Sequence, residues 1–172
     1  MKRACACLVA IAFTPAPLLA AESIFADREE VYLTVFADSM SAANSPERVY
    51  AVAIGRSERS QNRDDNQYIP LPEAMWAKLA ARLKAKGVDV SKFVPLADIG
   101  WKDENERWLI HRPSGKEAWV CSINSVTWHG GTQLRVSQSV FNCGLAAYGC
   151  TLILEKNGSK WVIVGRTKSW VS

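Results

Sequence analysis

Residues 151–164, TLILEKNGSKWVIV, contain two β-prone runs separated by a short polar turn. Asn157-Gly158 lies at the centre of the segment, and both positions tolerate the positive backbone φ that a two-residue hairpin requires. The segment therefore predicts an antiparallel β-hairpin formed by the last two strands of the chain.

The chain before this hairpin shows further strand signals. His129-Gly130-Gly131 predicts another hairpin tip, and Pro113-Ser114-Gly115 predicts a turn. Together these signals predict a C-terminal β-meander, preceded by an isolated β-prone run at residues 49–54. The strands of the meander are predicted at residues 108–111, 119–128, 133–142, 148–156 and 160–171.

The first half of the chain predicts two helices. Apolar residues at helical spacing predict the first over residues 23–42. Pro72 suits the first turn of the second helix, and Gly87 lies just past its end. The polar residues 56–67 predict an exposed loop. We therefore expect an α+β fold with two helices packed on one face of an antiparallel sheet of four to six strands.

The closing strand has apolar residues at consecutive positions. Trp161 and Ile163 point to one face of a strand, and Val162 and Val164 point to the other. An edge strand of a sheet covered on one face would alternate apolar and polar residues. This pattern predicts a central strand, or one that is covered on both faces.

The N-terminus has the three parts of a secretory signal peptide. Lys2 and Arg3 precede an apolar run at residues 4–13, and small residues follow at Ala20-Ala21. We expect cleavage after Ala20 or Ala21, so residues 1–21 form the leader and residues 22–172 form one domain. The apolar run is shorter than the 20 or so residues that span a bilayer. The sequence thus predicts a periplasmic or secreted protein with no membrane span.

The charge balance argues against nucleic acid as a partner. The chain has 21 basic and 17 acidic residues, for a net charge of +4. Loss of Lys2 and Arg3 with the leader lowers this charge to about +2. The remaining charges are interspersed, whereas a nucleic-acid binder needs a concentrated basic face.

Three cysteines follow the leader, at positions 121, 143 and 150. An oxidising compartment favours disulfide pairing. Cys143 and Cys150 flank six residues around a proposed turn, so a Cys143–Cys150 disulfide is the preferred pairing. A pairing that uses Cys121 is the alternative, followed by no disulfide.

No motif in the sequence predicts a cofactor, a metal site or a catalytic centre. The two histidines, His111 and His129, lack the clustered partners of a zinc site. A catalytic Cys121 with either histidine as its base is one weaker alternative. Another is a paired-carboxylate glycosidase site among the loop acids, which are Asp98, Asp103, Glu104 and Glu106.

Seven tryptophans supply the other candidate site. Aromatic side chains form binding platforms, but strand tryptophans more often pack in a core. We expect Trp101 and Trp128 to be the most exposed, and His129 adjoins Trp128 at the hairpin tip. Trp101, Trp128 and His129 are therefore the candidate binding surface.

The C-terminal third contains a set of short motifs in a fixed order. They are a proline turn at residues 113–116, Cys121-Ser122, Cys143-Gly144-Leu145, a Trp-x-Val strand at residues 161–164, and Trp170-Val171-Ser172. This order resembles a group of exported bacterial proteins of uncharacterised activity. Those proteins often have a second cysteine after the leucine, where this chain has Ala146. The resemblance implies an α+β fold and export, and it implies no activity.

These features favour a binding, inhibitor or immunity-type module that contacts another macromolecule, such as a protein or an envelope component. A small extracytoplasmic hydrolase and a structural envelope component are the alternatives. A deep pocket lined by titratable groups with shifted pKa values would favour the hydrolase. An exposed apolar patch with tryptophans would favour the binding module.

Overall fold

A computed structural model describes residues 16–41, 43, 45–56, 68–102, 108–129, 132–143 and 146–171. Two short 3₁₀ turns, Val90–Lys92 and Leu96–Asp98, lie between the second helix and the third strand. The helices are α1 (Ala16–Ser39) and α2 (Glu73–Ala85). The strands are β1 (Arg48–Arg56), β2 (Tyr68–Pro70), β3 (Ile99–Trp101), β4 (Leu109–His111), β5 (Glu117–Trp128), β6 (Gln133–Cys143), β7 (Ala146–Asn157) and β8 (Lys160–Val171).

The strands form one mixed sheet in the order β2-β1-β5-β6-β7-β8, with β4 also paired to β5 and β3 paired to β4. The α+β class and the C-terminal meander are confirmed. The predicted sheet was too small and too regular, because β1 pairs with β5 in parallel, from Arg48↔Glu117 to Ile54↔Ile123. Parallel neighbours need a long crossover, which the intervening 60 or so residues provide.

Both predicted helices are present. The backbone of α1 is helical from Ala16, so it starts before the predicted first residue, Ser23. In α2, Pro72 precedes the first helical residue, and Gly87 adopts a φ of 78° just past the end. The two helices contact each other through ion pairs such as Arg82–Glu30.

The main core lies between the helices and one face of the sheet. Val31, Val35 and Phe36 of α1 are fully buried there, together with Leu79 and Leu83 of α2. The sheet contributes side chains that alternate along each strand, as period-two spacing requires. These side chains include Val52, Cys121, Ile123, Val136, Leu152 and Leu154.

A second, smaller core lies on the opposite face of the sheet, which we call the outer face. Its buried members on β1 and β5 are small or medium residues, and residues 94–99 pack against them. The central strand β5 is therefore apolar on both faces over its first half. The members are Val49, Ala51, Ala53, Leu109, Ala118 and Val120.

The position of β8 corrects one expectation. Asn157 pairs with Lys160, and Gly158 has a φ of 63°, so the predicted hairpin is present. However, β8 is an edge strand rather than a central one. Trp161 is 2% exposed in the main core, whereas Val164 on the same strand is 51% exposed. The apolar residues on the second face of β8 are therefore exposed rather than buried.

The predicted Cys143–Cys150 disulfide is absent, and all three described cysteines are free thiols. The expected register was wrong. Cys143 pairs with Ala146, so the β6–β7 turn contains only two residues. Cys150 therefore lies opposite Gln138, five positions along β6 from Cys143. At about 3.3 Å per residue, this separation far exceeds the reach of a disulfide.

We predict that Trp161→Ala lowers the unfolding free energy by about 3–5 kcal/mol, because it removes a buried indole from the main core. The matched control is Val164→Ala on the same strand, which should change the free energy by less than about 0.5 kcal/mol. Urea unfolding followed by circular dichroism measures both. Equal losses in the two variants would contradict the assigned burial.

Candidate functional site

The predicted surface residues occupy two separate regions. Trp101 lies in β3, and its ring packs edge-on against Phe141 at a centroid distance of 5.9 Å. Trp128 ends β5 and packs edge-on against Trp161, also at 5.9 Å. The β3–β4 pair attaches at the first residue of β5, Glu117. Trp101 and Trp128 therefore lie near opposite ends of this 12-residue strand.

Trp128 and His129 do share one region. Trp128 is 63% exposed, and the guanidinium of Arg135 lies 2.6 Å from Nε2 of His129. Because arginine only donates, Nε2 accepts this hydrogen bond. The region is a hairpin end with one exposed ring, and neither Trp128 nor His129 lines the two cavities described below.

Trp101 lies beside a large cavity on the outer face. The segment after α2 runs along the edge of β1, where the amide of Val94 donates to the carbonyl of Tyr50 at 2.9 Å. The sheet surface beneath the segment is made of small residues, Ala51 and Ala53 among them. Because these side chains fill little space, an open cavity of about 740 Å³ lies between them and the covering segment.

The walls of this cavity are mainly apolar. Its volume falls within the range of about 300–1,000 Å³ that is typical of small-molecule sites. Two charged residues line it, Glu73 from the start of α2 and Arg112 from the turn after β4. The apolar lining comes from every element around the cavity, including Ala51, Trp76, Phe93, Leu96, Trp101 and Phe141.

The position of Arg112 follows from how β4 is attached. Ile110 of β4 pairs with Glu117, and the buried side-chain amide of Asn142 donates to the carbonyl of Leu109 in β4 at 3.5 Å. The amide of Arg112 then donates to the carbonyl of Asp98 at 2.9 Å. These contacts fix the turn against β3 and place Arg112 at the cavity.

The guanidinium of Arg112 lies directly on Gly100. A Cβ atom added at this buried glycine would be 2.3 Å from Nε of Arg112 and 2.6 Å from Nη2. Only a residue without a side chain permits so close an approach. Among the described residues, no carboxylate forms an ion pair with Arg112, and its guanidinium makes no side-chain hydrogen bond.

Neither Arg112 nor Gly100 stood out in the sequence. Arg112 follows a short strand next to a Pro-Ser-Gly turn, which is where a solvated arginine is common. Gly100 lies in a three-residue strand, and a glycine within a strand can mark close approach by another group. That glycine was the one available signal, but it could not identify its partner.

The groups with shifted pKa values lie outside the cavity. Burial raises the pKa of the Cys121 thiol to about 12, and nearby Cys150 adds to this effect. Burial also raises the pKa of Tyr148. Hydrogen bonds from Ser91 lower the pKa of the exposed Asp89 carboxyl. None of these residues lines the cavity.

The weaker catalytic alternatives receive no support from this geometry. Cys121 is buried on the helix face, and a raised pKa disfavours the thiolate that a nucleophile needs. Nδ1 of His111 lies 2.7 Å from the Ser114 hydroxyl, and His129 contacts Arg135. Asp98 lies 4.0 Å from His111. The other loop acids, Asp103, Glu104 and Glu106, lie outside the described residues.

A row of hydroxyls crosses the uncovered part of the outer face. Ser125 pairs with Ser137, which pairs with Thr151, which in turn pairs with Thr167. These four residues line a shallow groove together with Thr127 and Arg135. Sequence patterns alone could not reveal the row, because it depends on the register of four strands.

Comparison with known proteins adds no identification. No protein family, no curated protein and no solved structure gives a significant match to this chain. The resemblance of residues 113–172 to exported bacterial proteins therefore stays a prediction. No helix in the described part of the chain has the length and hydrophobicity needed to cross a bilayer.

We predict that stability falls at alkaline pH because of Cys121. Its pKa is raised from 9.0 to about 12 in the folded chain, so the unfolded state loses the proton first. The protonated Cys121 thiol stabilises the folded state fully below pH 9, and this stabilisation is lost as the pH rises from 9 to 12. Over that window the unfolding free energy should fall by about 1.4 kcal/mol per pH unit.

The control for this effect is Cys121→Ala, which removes the titrating thiol from the same buried position. Chemical unfolding of both proteins between pH 8 and 11 gives the two slopes. The slope of the parent should be steeper by the amount stated above. Identical slopes would show that Cys121 ionises equally in the folded and unfolded states.

Proposed function

We propose that the protein is an extracytoplasmic binding module rather than an enzyme, and that the outer-face cavity is its ligand site. The observation that carries this proposal is the cavity of about 740 Å³ with mainly apolar walls. An apolar concave site with few polar groups is the usual form of a small-molecule pocket. It suits a ligand, or an inserted group of a larger partner, that presents apolar surface.

The cavity favours binding over catalysis. The residues with shifted pKa values, such as Cys121 and Tyr148, lie outside it. Its two charged residues, Glu73 and Arg112, form no ion pair with each other. A paired acid and base would instead be expected for a hydrolase.

The exposed Trp128 and His129 are weaker evidence for a protein-binding surface than the cavity is for a ligand site. One exposed ring beside a hairpin end is a small apolar area, whereas stable protein interfaces bury far more surface. A macromolecular partner for this region stays a prediction from the sequence.

Export is the second part of the proposal. The basic start, the apolar run and Ala20-Ala21 together support a cleaved leader. The contacts described for α1 begin at Asp27, which accepts a hydrogen bond from Lys156 at 2.8 Å. Cleavage after Ala20 or Ala21 would leave these contacts in place.

We predict that the exported protein begins at Ala21 or Glu22, because signal peptidase cuts after small residues that follow the apolar run. Intact mass spectrometry of protein from the extracytoplasmic fraction measures this start. An Ala20→Leu, Ala21→Leu double variant should accumulate with its leader attached. Full-length protein recovered from the cytoplasm would contradict export.

We predict that the neutral dye Nile red binds in the cavity and that Ala51→Leu weakens its binding at least tenfold. Ala51 is buried on the cavity floor, and three additional carbon atoms there reduce the space for the dye. Fluorescence titration gives the dissociation constants. Because overpacking can destabilise a core, each variant is first checked by thermal unfolding.

The matched control is Ala81→Leu, the same change at an exposed position of α2 that does not line the cavity. This variant should bind the dye as the parent does. Trp101→Ala, which removes a ring from the cavity wall, should weaken binding as Ala51→Leu does. Unchanged binding in a folded Ala51→Leu protein would place the dye site elsewhere.

A further inference from the structure

We propose that the ligand of the outer-face cavity is a single-chain amphiphile with an anionic oxygen head group, and that Arg112 binds this head group. The inference rests on the proposed function and names its ligand class. Its basis is a guanidinium held at an apolar cavity, for which no described residue supplies a neutralising carboxylate. Carboxylates and phosphate monoesters share the planar or forked oxygen geometry that arginine binds best.

Arg112 differs from three arginines that form ion pairs between elements of the fold, whereas Arg135 contacts His129 instead. Arg48 pairs with Glu117 at 3.3 Å, Arg82 pairs with Glu30, and Arg166 pairs with Asp38. Each of these pairs joins two elements of the fold. Arg112 has no such partner among the described residues, although Asp98 is held nearby by a backbone hydrogen bond.

The attachment of Arg112 also suits a binding role. Its guanidinium rests on the backbone of Gly100, so the side chain is supported from one side. The residue is exposed to solvent as well as lining the cavity, so the guanidinium charge stays hydrated there. A head group there would meet the guanidinium, while an alkyl chain would extend along the apolar wall formed by residues such as Phe141.

Glu73 raises the opposite possibility, a cationic head group. However, Glu73 lies in the first turn of α2, where a carboxylate stabilises the positive end of the helix dipole. It therefore has a structural role that needs no ligand. Arg112 lies in a turn and has no equivalent role among the described residues, so the anionic head group is the better-supported choice.

The test uses four ten-carbon probes that share one chain: decanoate, decyl phosphate, decan-1-ol and decyltrimethylammonium. Each is measured by displacement of Nile red and by isothermal titration calorimetry, below the concentration at which micelles form. The parent should bind decanoate or decyl phosphate at least tenfold more tightly than decan-1-ol, because charge-assisted hydrogen bonds are the stronger class. The tighter of the two anions identifies the head group.

Three substitutions at two positions of the site separate charge from shape. Arg112→Gln should remove the preference for anions and leave decan-1-ol binding unchanged, whereas Arg112→Lys should keep part of the preference. Gly100→Ala keeps the charge but forces the guanidinium away, since its Cβ would lie 2.3 Å from Nε. The end of the arginine side chain is flexible, so this variant should fold and bind decanoate several-fold more weakly.

Glu73→Gln is the control for the second charge, and it should leave the ranking of the probes unchanged. Equal binding of decanoate and decan-1-ol, or a preference that survives Arg112→Gln, would overturn the inference while the cavity remained a binding site. Tightest binding of decyltrimethylammonium would also overturn it. If neither Nile red nor any probe binds, the proposed function itself fails.

Discussion

The parallel pairing of β1 with β5 is the constraint on which the rest of the structure depends. Seven consecutive residue pairs fix this register, from Arg48↔Glu117 to Ile54↔Ile123. A slip by one residue would exchange the two faces of a strand. Val52 would then leave the helix-side core, and Ala51 would leave the cavity floor. One register thus sets both the stability of the main core and the existence of the cavity.

The two cores use that register in different ways. On the helix side, Phe36, Ile123 and Leu152 are large and fully buried, so this face supplies most of the apolar burial. On the outer face, Ala51, Ala53 and Ala118 bury little area each. Larger side chains that fitted there without strain would add stability, at roughly 25 cal/mol per Å² of buried apolar surface. The alanines give up part of this stabilisation and leave an open volume.

Local chemistry made some elements predictable from the sequence. Asn157-Gly158 specifies its hairpin through backbone φ, and Pro72 and Gly87 bound α2. The pairing of strands that lie far apart in the sequence could not be predicted from such local signals. Arg48 and Glu117 are 69 residues apart, and no local pattern indicates that their strands are parallel. The missed contact between Arg112 and Gly100 depends on this pairing, because β4 is positioned by β5.

A β-bulge explains why the cavity ends where it does. The pairing of β5 with β6 shifts between Ile123 and Ser125, so Ser125 joins the outer face with Ser122 instead of joining Ile123 on the helix face. Ser122, Asn124 and Ser139 form a hydrogen-bonded cluster at this border, with a distance of 2.9 Å between the two serine hydroxyls. Beyond the cluster the outer face carries the row of hydroxyls from Ser125 to Thr167, which can face water. The cavity therefore lies where an apolar surface that must be covered meets a hydroxyl-lined surface that can face water, and such a border suits a ligand with one apolar and one polar end.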